Sequence, residues 1–288
     1  MELTIDRVQL AVSDRVAAAE GWVNILDAIH LRDDAVECLN ARRSVYQVGR
    51  SEVEFLEPNG EGVIANSLKT VGRSHLFAGG VASSDLEGLI SNVESQNIAC
   101  IQEGGQAHVI YKEDGQNDIH FVLSQAADRE SVGLLDYLYE ATILVDEYQP
   151  LGDAVSRIFD SNADGYCPIN SSKFKYDGYL TLFNPDELHR FEVIKPTSDE
   201  TTMGRFHVRR GRAFYMAFAE TPHMLEIEKR AKDANAGITV ERPEGRAESE
   251  MADSMFLHPP ALGGMMLGLS RPTQAWSWSG DPDRVVKI

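Results

Sequence analysis

The sequence predicts an α+β fold of four βαβββ modules, paired into two domains with cupped mixed sheets. Three observations carry this. An apolar strand runs into a capped amphipathic helix four times, at intervals of roughly seventy residues, with helices starting near Asp14, Asp85, Pro150 and Pro222. Strand-like segments fill the rest of each interval. One module alone is too small to bury its own sheet face, so the modules must pair.

Module one opens with the alternating strand Ile5–Val12, then Ser13-Asp14 as a helix cap. Trp22, Val23, Leu26 and Ile29 follow at helical spacing. Short strands are expected around Ala35–Asn40 and Ser44–Val48, with a closing strand at Glu52–Pro58. Module two places a strand at Leu76–Ala82 and a capping box at Ser84-Asp85-Leu86-Glu87, with Ser84 as the cap. Leu86, Leu89, Ile90 and Val93 form its buried stripe, and Asp118–Leu123 closes it. The polar stretch that follows reads as a linker. Module three starts with Tyr139–Val145, tolerates Pro150 in its first helical turn and ends with Arg190–Pro196. Module four begins Ala213–Phe218, caps a helix at Thr221-Pro222 that ends at Gly237, and closes through Phe256–Pro260 and Met265–Leu269. The expected layout is a first domain over 1–126, a linker over 127–137, a second domain over 138–270 and a tail over 271–288. Trp276 and Trp278 should pin that tail to the body or to a partner subunit, so a monomer and a homodimer both stay open.

Composition narrows the function classes. The 288 residues are 43% hydrophobic and 25% charged, as expected of a globular chain. A net charge of −18 argues against a nucleic-acid partner, which needs clustered Lys and Arg. The one basic run, Arg205–Arg212, either holds an anionic group or is a solvated loop. No apolar stretch is long enough to cross a bilayer, so no membrane partner is expected. The opening Met1–Asp6 shows no signal peptide, and Cys38, Cys100 and Cys167 read as reduced thiols. Both point to a cytoplasmic protein.

Ile5–Asp14, Val53–Pro58, Phe191–Pro196 and His258–Leu269 together resemble the vicinal oxygen chelate superfamily, which includes glyoxalases, bleomycin-resistance proteins and extradiol dioxygenases. Ile5–Asp14 and His258–Leu269 are similar to the epimerase-like members. The resemblance covers about residues 4–270. It implies half-open barrels with ligands on their concave faces. It also implies a divalent metal held by one side chain from the first strand and one from the last strand of each paired module.

Carried over residue by residue, that pattern is incomplete. The first-strand position of module one is Arg7, which has no lone pair to offer a metal. Glu54 keeps the carboxylate position, His120 the fourth-strand position of module two, and Ala78 or His75 its first-strand position. Glu140 and Glu192 occupy module three. Module four offers Phe214 or Tyr215, and Gly268. The two-histidine, one-carboxylate set of the ring-cleaving dioxygenases is therefore missing.

Two candidate sites follow. In the first half, Arg7, Gln9, Glu54, His120 and His75 gather on one side. There Glu54 and His120 hold a metal or act as a base and acid pair, with Arg7 and Gln9 binding substrate. Alternatively, Arg7 and Glu54 form an ion pair filling a vestigial site. In the second half, Glu140 and Glu192 are paired carboxylates able to do general acid–base work, or else Glu192 is a family relic, solvated or paired with an arginine such as Arg209 or Arg212. Thr142, Tyr215, Arg209, Arg212 and His258 complete that site, and Tyr46, Tyr176 and Tyr179 either line an aromatic pocket or pack the sheets. Cofactor options are one divalent metal ion on Glu54, His120 and His75, or none. The expected function is non-oxidative lyase, isomerase or hydrolase chemistry on a small oxygenated metabolite. The competing reading is a small-molecule binder without catalysis.

Overall fold

The computed structural model describes residues 1–161 and 165–288. The first half runs β1 (Leu3–Ala11), α1 (Arg15–Leu26), β2 (Ile29–Val36), β3 (Ala41–Val48), β4 (Ser51–Pro58), α2 (Val63–Val71), β5 (His75–Ser83), α3 (Leu86–Ser95), β6 (Ala99–Glu103), β7 (Gln106–Tyr111) and β8 (Ile119–Gln125). The second runs β9 (Tyr137–Leu144), α4 (Tyr148–Ile158), β10 (Tyr166–Ser171), β11 (Tyr176–Leu182), β12 (Arg190–Pro196), α5 (Thr202–Arg210), β13 (Ala213–Glu220), α6 (Met224–Asp233), β14 (Ile238–Glu241), β15 (Ser254–Leu257) and β16 (Met266–Ser270). Among the described residues no helix is long and apolar enough to cross a membrane.

Each half forms one eight-stranded mixed sheet, ordered β2-β3-β4-β1-β5-β8-β7-β6 and β10-β11-β12-β9-β13-β16-β15-β14. In every module the first strand pairs parallel with the last, and the two first strands of a half pair antiparallel with each other. Strand alternation then sorts side chains onto two faces. One face is apolar: Val8, Leu10, Phe55, Phe121, Ile143, Phe191 and Phe214 belong to a core that runs through both halves. Phe121 joins them directly, its ring 5.1 Å from Phe191 and 5.9 Å from Phe214. The opposite, concave faces carry the polar residues of each half.

Several local expectations need correction. Helix α1 stops at Leu26 because Asp27 adopts the left-handed conformation, so Ile29 opens an exposed edge strand instead of extending the buried stripe. Residues Glu37–Leu39 form a 3-10 turn between β2 and β3. The cap of α3 is Asp85, which accepts from Gly88 N at 2.9 Å, while the Ser84 hydroxyl accepts from Glu2 N. The basic run is no loop: Thr201 caps α5, whose last turn collects His207, Arg209 and Arg210, favourably placed at the negative end of the helix dipole. Helix α6 ends at Asp233, ahead of Gly237. The tail lies against its own body, with Trp276 packed beside Tyr139, Met216 and Phe218 on the concave side of the second sheet.

Candidate functional site

The first cup is filled by a connected ionic network. Arg7 on β1 uses every edge of its guanidinium: Nε and Nη2 donate to Asp6 at 3.1 and 2.8 Å, and Nη1 donates to Glu52 and Glu54 at 2.9 Å each. Asp6 reaches it because a bulge in β1 turns this extra residue to the same side. Glu54 is fully buried and receives donors from four residues, Arg7, Gln9 at 2.8 Å, Gln106 at 2.6 Å and Arg43 at 3.2 Å. Arg43 in turn forks onto Asp34 with two 2.7 Å bonds. Burial alone would raise the Glu54 carboxyl, but the charges of Arg7 and Arg43 and the two amide donors outweigh it and bring it down to about 2. Its lone pairs are engaged and its basicity is gone.

His120 shares the transverse row Glu54–Gln9–Ala78–His120, three strands from Glu54. Its ring stacks on Phe77 at 4.4 Å, and burial pushes it down to about 4, so it is neutral near pH 7. His75 sits elsewhere, opposite Ala11, with both ring nitrogens bonded, to Ser67 Oγ and the Arg73 carbonyl at 2.9 Å each. The structure therefore does not bring Glu54, His120 and His75 together. Gln9 Oε1, His108 Nε2 and Ser124 Oγ are buried on this face without a partner among the described residues. All three are neutral groups.

The second cup has the same plan with the charges exchanged. Where Arg7 on β1 faces Glu52 on β4, Glu140 on β9 faces Arg190 on β12. Arg190 Nε donates to Glu140 at 2.7 Å, and both side chains are fully buried. One rung on, Thr142 faces Glu192 and its hydroxyl donates to that carboxylate at 2.6 Å. Glu192 has no cation of its own: burial and the neighbouring Glu140 charge both push its carboxyl up, while the Thr142 bond and Arg190 pull only weakly the other way. Burial also raises Glu140, with Arg190 opposing it. The walls are aromatic. Tyr139, the bulge residue equivalent to Asp6, lies under the Arg190 guanidinium at 4.8 Å and stacks with Phe218.

Other expected members fall outside this cluster. Arg209 is exposed on α5. Arg212 ties the halves together, donating to the Asn117 carbonyl at 2.8 Å and pairing with Glu113. His258 bonds Thr239 at the β14–β15 hairpin. Tyr215 is a bulge residue on β13 whose ring packs at 5.0 Å on Phe206, and burial raises its phenol to about 12. Phe214 points into the shared core, so the module-four positions facing Thr142 and Glu140 are Met216 and Phe218. Tyr46 packs edge-on to Phe55, and Tyr179 to Tyr148, whereas Tyr176 stands close enough to Glu192 for that carboxyl to act on its phenol. Arg190, Glu52, Arg43 and Gln106 are site residues that the sequence pattern did not single out.

The strand order and these paired cups match known structures. A mutant 4-hydroxymandelate synthase from Streptomyces coelicolor superposes with a TM-score of 0.70 at 13% identity, over 93% of this chain and 92% of that one. The chain has the vicinal oxygen chelate fold. A xylose isomerase-like TIM barrel/4-hydroxyphenylpyruvate dioxygenase fusion protein matches with a TM-score of 0.61 at 10% identity, over 93% of this chain and 49% of that one. A Mn(II)-bound glyoxalase from Novosphingobium aromaticivorans matches at 0.54 and 13%, over 93% and 81%. No family model and no curated protein matches the sequence.

The metal that the vicinal oxygen chelate fold implies does not suit the residues present. Among the described residues no group of three His, Cys, Asp or Glu side chains converges on one point. In the second cup the last-strand position is Gly268, and Phe218 lies over it so closely that a Cβ there would overlap the ring. In the first cup Arg7 lies over Gly80 in the same way. An arginine side chain and a phenyl ring thus fill positions where ligands would be needed.

Proposed function

We propose that the second cup is the working site and that it handles a small oxygenated, partly apolar molecule by proton transfer at a carbon next to a carbonyl. What supports this is Glu192: a buried carboxyl without its own counter-ion, raised toward neutrality, in an aromatic-walled concavity. In the proposed step the Glu192 carboxylate takes a proton from the substrate carbon, and the electron pair moves onto the carbonyl oxygen as an enolate. Return of the proton to carbon completes an isomerisation. The first cup acts as a scaffold in this reading, since Glu54 accepts no further proton near neutral pH.

Proton exchange tests the step across a whole substrate class. A panel of small 2-hydroxy ketones and 2-oxo acids is incubated with the protein in D2O, and exchange of the carbon-bound proton is followed by NMR. Glu192→Gln should slow exchange by about 10²–10⁴-fold. The rate should rise with pH as Glu192 ionises, above the ordinary carboxylate range, and Glu192→Gln should remove that limb. Exchange that survives the substitution unchanged would refute the assignment. The filled ligand positions at Phe218 and Gly268 favour one second reading, a binder that sequesters its ligand without chemistry. Tight binding with no exchange for any panel member would select it.

A further inference from the structure

Arg7 and Arg190, the buried arginines of the central strand pair in each cup, differ in one respect. Arg7 has all three of its guanidinium nitrogens engaged by carboxylates. Arg190, with no exposed surface, gives Nε to Glu140 at 2.7 Å and Nη1 to the Leu188 carbonyl at 3.0 Å, and its Nη2 has no partner among the described residues. A buried cationic donor left unsatisfied carries its full desolvation cost. Its orientation is nonetheless fixed from three sides, by Glu140, by the Leu188 carbonyl and by the Tyr139 ring at 4.8 Å.

We propose that the second cup seats an anionic oxygen of its ligand, a carboxylate or an enolate oxygen, on the free Nη2 edge of Arg190, with the ligand's apolar body against Tyr139, Phe218 and Trp278. This deepens the proposed function and rests on its placing of the work in the second cup. Three observations select an anion. The vacant donor belongs to a permanent cation. Glu140 neutralises only one edge of it, and Glu192, two residues along the same strand face, has no arginine edge of its own. The side chains around it are aromatic, with Phe218 packed on Tyr139, Phe256 and Trp278. The unpartnered buried atoms of the first cup are neutral and give no comparable reason to prefer a charge. The guanidinium also supplies, as a hydrogen-bonding cation, the oxygen-polarising role that neither cup can assign to a metal.

The probes are benzoate and its uncharged isostere benzamide, titrated into the full chain by calorimetry. Benzoate should bind at least ten-fold more tightly. Arg190→Lys keeps a positive charge beside Glu140 but loses the second donor edge, and should weaken benzoate at least ten-fold while leaving benzamide unchanged. The double variant Arg190→Met/Glu140→Leu removes the whole pair, avoids a lone buried charge and should abolish the preference. If the double variant fails to fold, Arg190→Lys decides alone. Arg284 lines a separate cleft between the halves together with Asp6, Arg50 and Glu187, and Arg284→Gln should leave benzoate binding as it was. Equal affinity for both probes, a preference that survives Arg190→Lys, or a preference lost in Arg284→Gln would each overturn the inference. Failure here with Glu192-dependent exchange intact would leave the proposed function standing; benzoate binding without such exchange would do the reverse.

Discussion

Glu54 and Glu192 occupy equivalent strand positions and have opposite environments. Each is buried, each is a carboxyl, and burial alone would raise both. Two arginines and two amide donors reverse the direction at Glu54, whereas the Glu140 charge adds to it at Glu192. Glu54→Gln should therefore destabilise the fold by about 3–5 kcal/mol in urea, because it strands Arg7 and Arg43 as under-compensated buried cations. Loss of less than about 1 kcal/mol would contradict the network's role. The pH consequence has a definite sign. With its folded value below its unfolded one, Glu54 contributes stability above the ordinary carboxylate range that is lost as pH falls toward about 2. His75, His120 and His189, each held near 4 by burial, add a loss as pH falls below the ordinary histidine range. Glu192 runs the other way, its contribution fading as pH rises through its elevated value.

The helices and strands follow from local rules that can be tested one at a time. Asp14 accepts from Val16 N at 2.9 Å and Ala17 N at 3.0 Å, so Asp14→Ala should cost about 1 kcal/mol by urea denaturation. No measurable change would mean that tertiary packing alone holds α1. Such caps at α1 and α3, and the change from strand to helix periodicity in all four modules, are why the modules were legible in the sequence. Helices α4 and α6 have no side-chain cap and start at Tyr148 and Met224, so Pro150 and Thr221-Pro222 do not mark capped starts. The connecting helices α2 and α5 were not, since they lie between modules and keep only Ile64 and Gly204 buried. Glu54, Gln9 and Arg7 were legible as neighbours because alternation places them on one face. Arg43 and Gln106 were not, because they arrive from hairpin strands across the curl of the sheet, and curvature has no local sequence signature. Arg190 was within reach: it precedes Glu192 by two residues on the same strand and so shares its face. Its significance appears only once the β9–β12 register shows it opposite Glu140.

At the scale of the whole molecule, one fold is used twice with its charges exchanged. A first-strand arginine against a last-strand glutamate fills the first cup, and a first-strand glutamate against a last-strand arginine occupies the second. The shared aromatic core joins the convex faces, and the tail with Trp276 and Trp278 closes on the second cup alone. On the proposed function, that asymmetry divides the labour between a braced half and a half that keeps a protonatable carboxyl and a free guanidinium edge. Carbon-13 NMR of protein labelled at glutamate carboxyls, titrated from strongly acid to alkaline pH and assigned with Glu192→Gln and Glu54→Gln, tests this division most directly. The Glu192 signal should titrate above the ordinary glutamate range while the Glu54 signal stays ionised well below it. A Glu192 carboxyl that titrates with the exposed glutamates, or a Glu54 carboxyl that joins them, would contradict the assignment of work to the second cup.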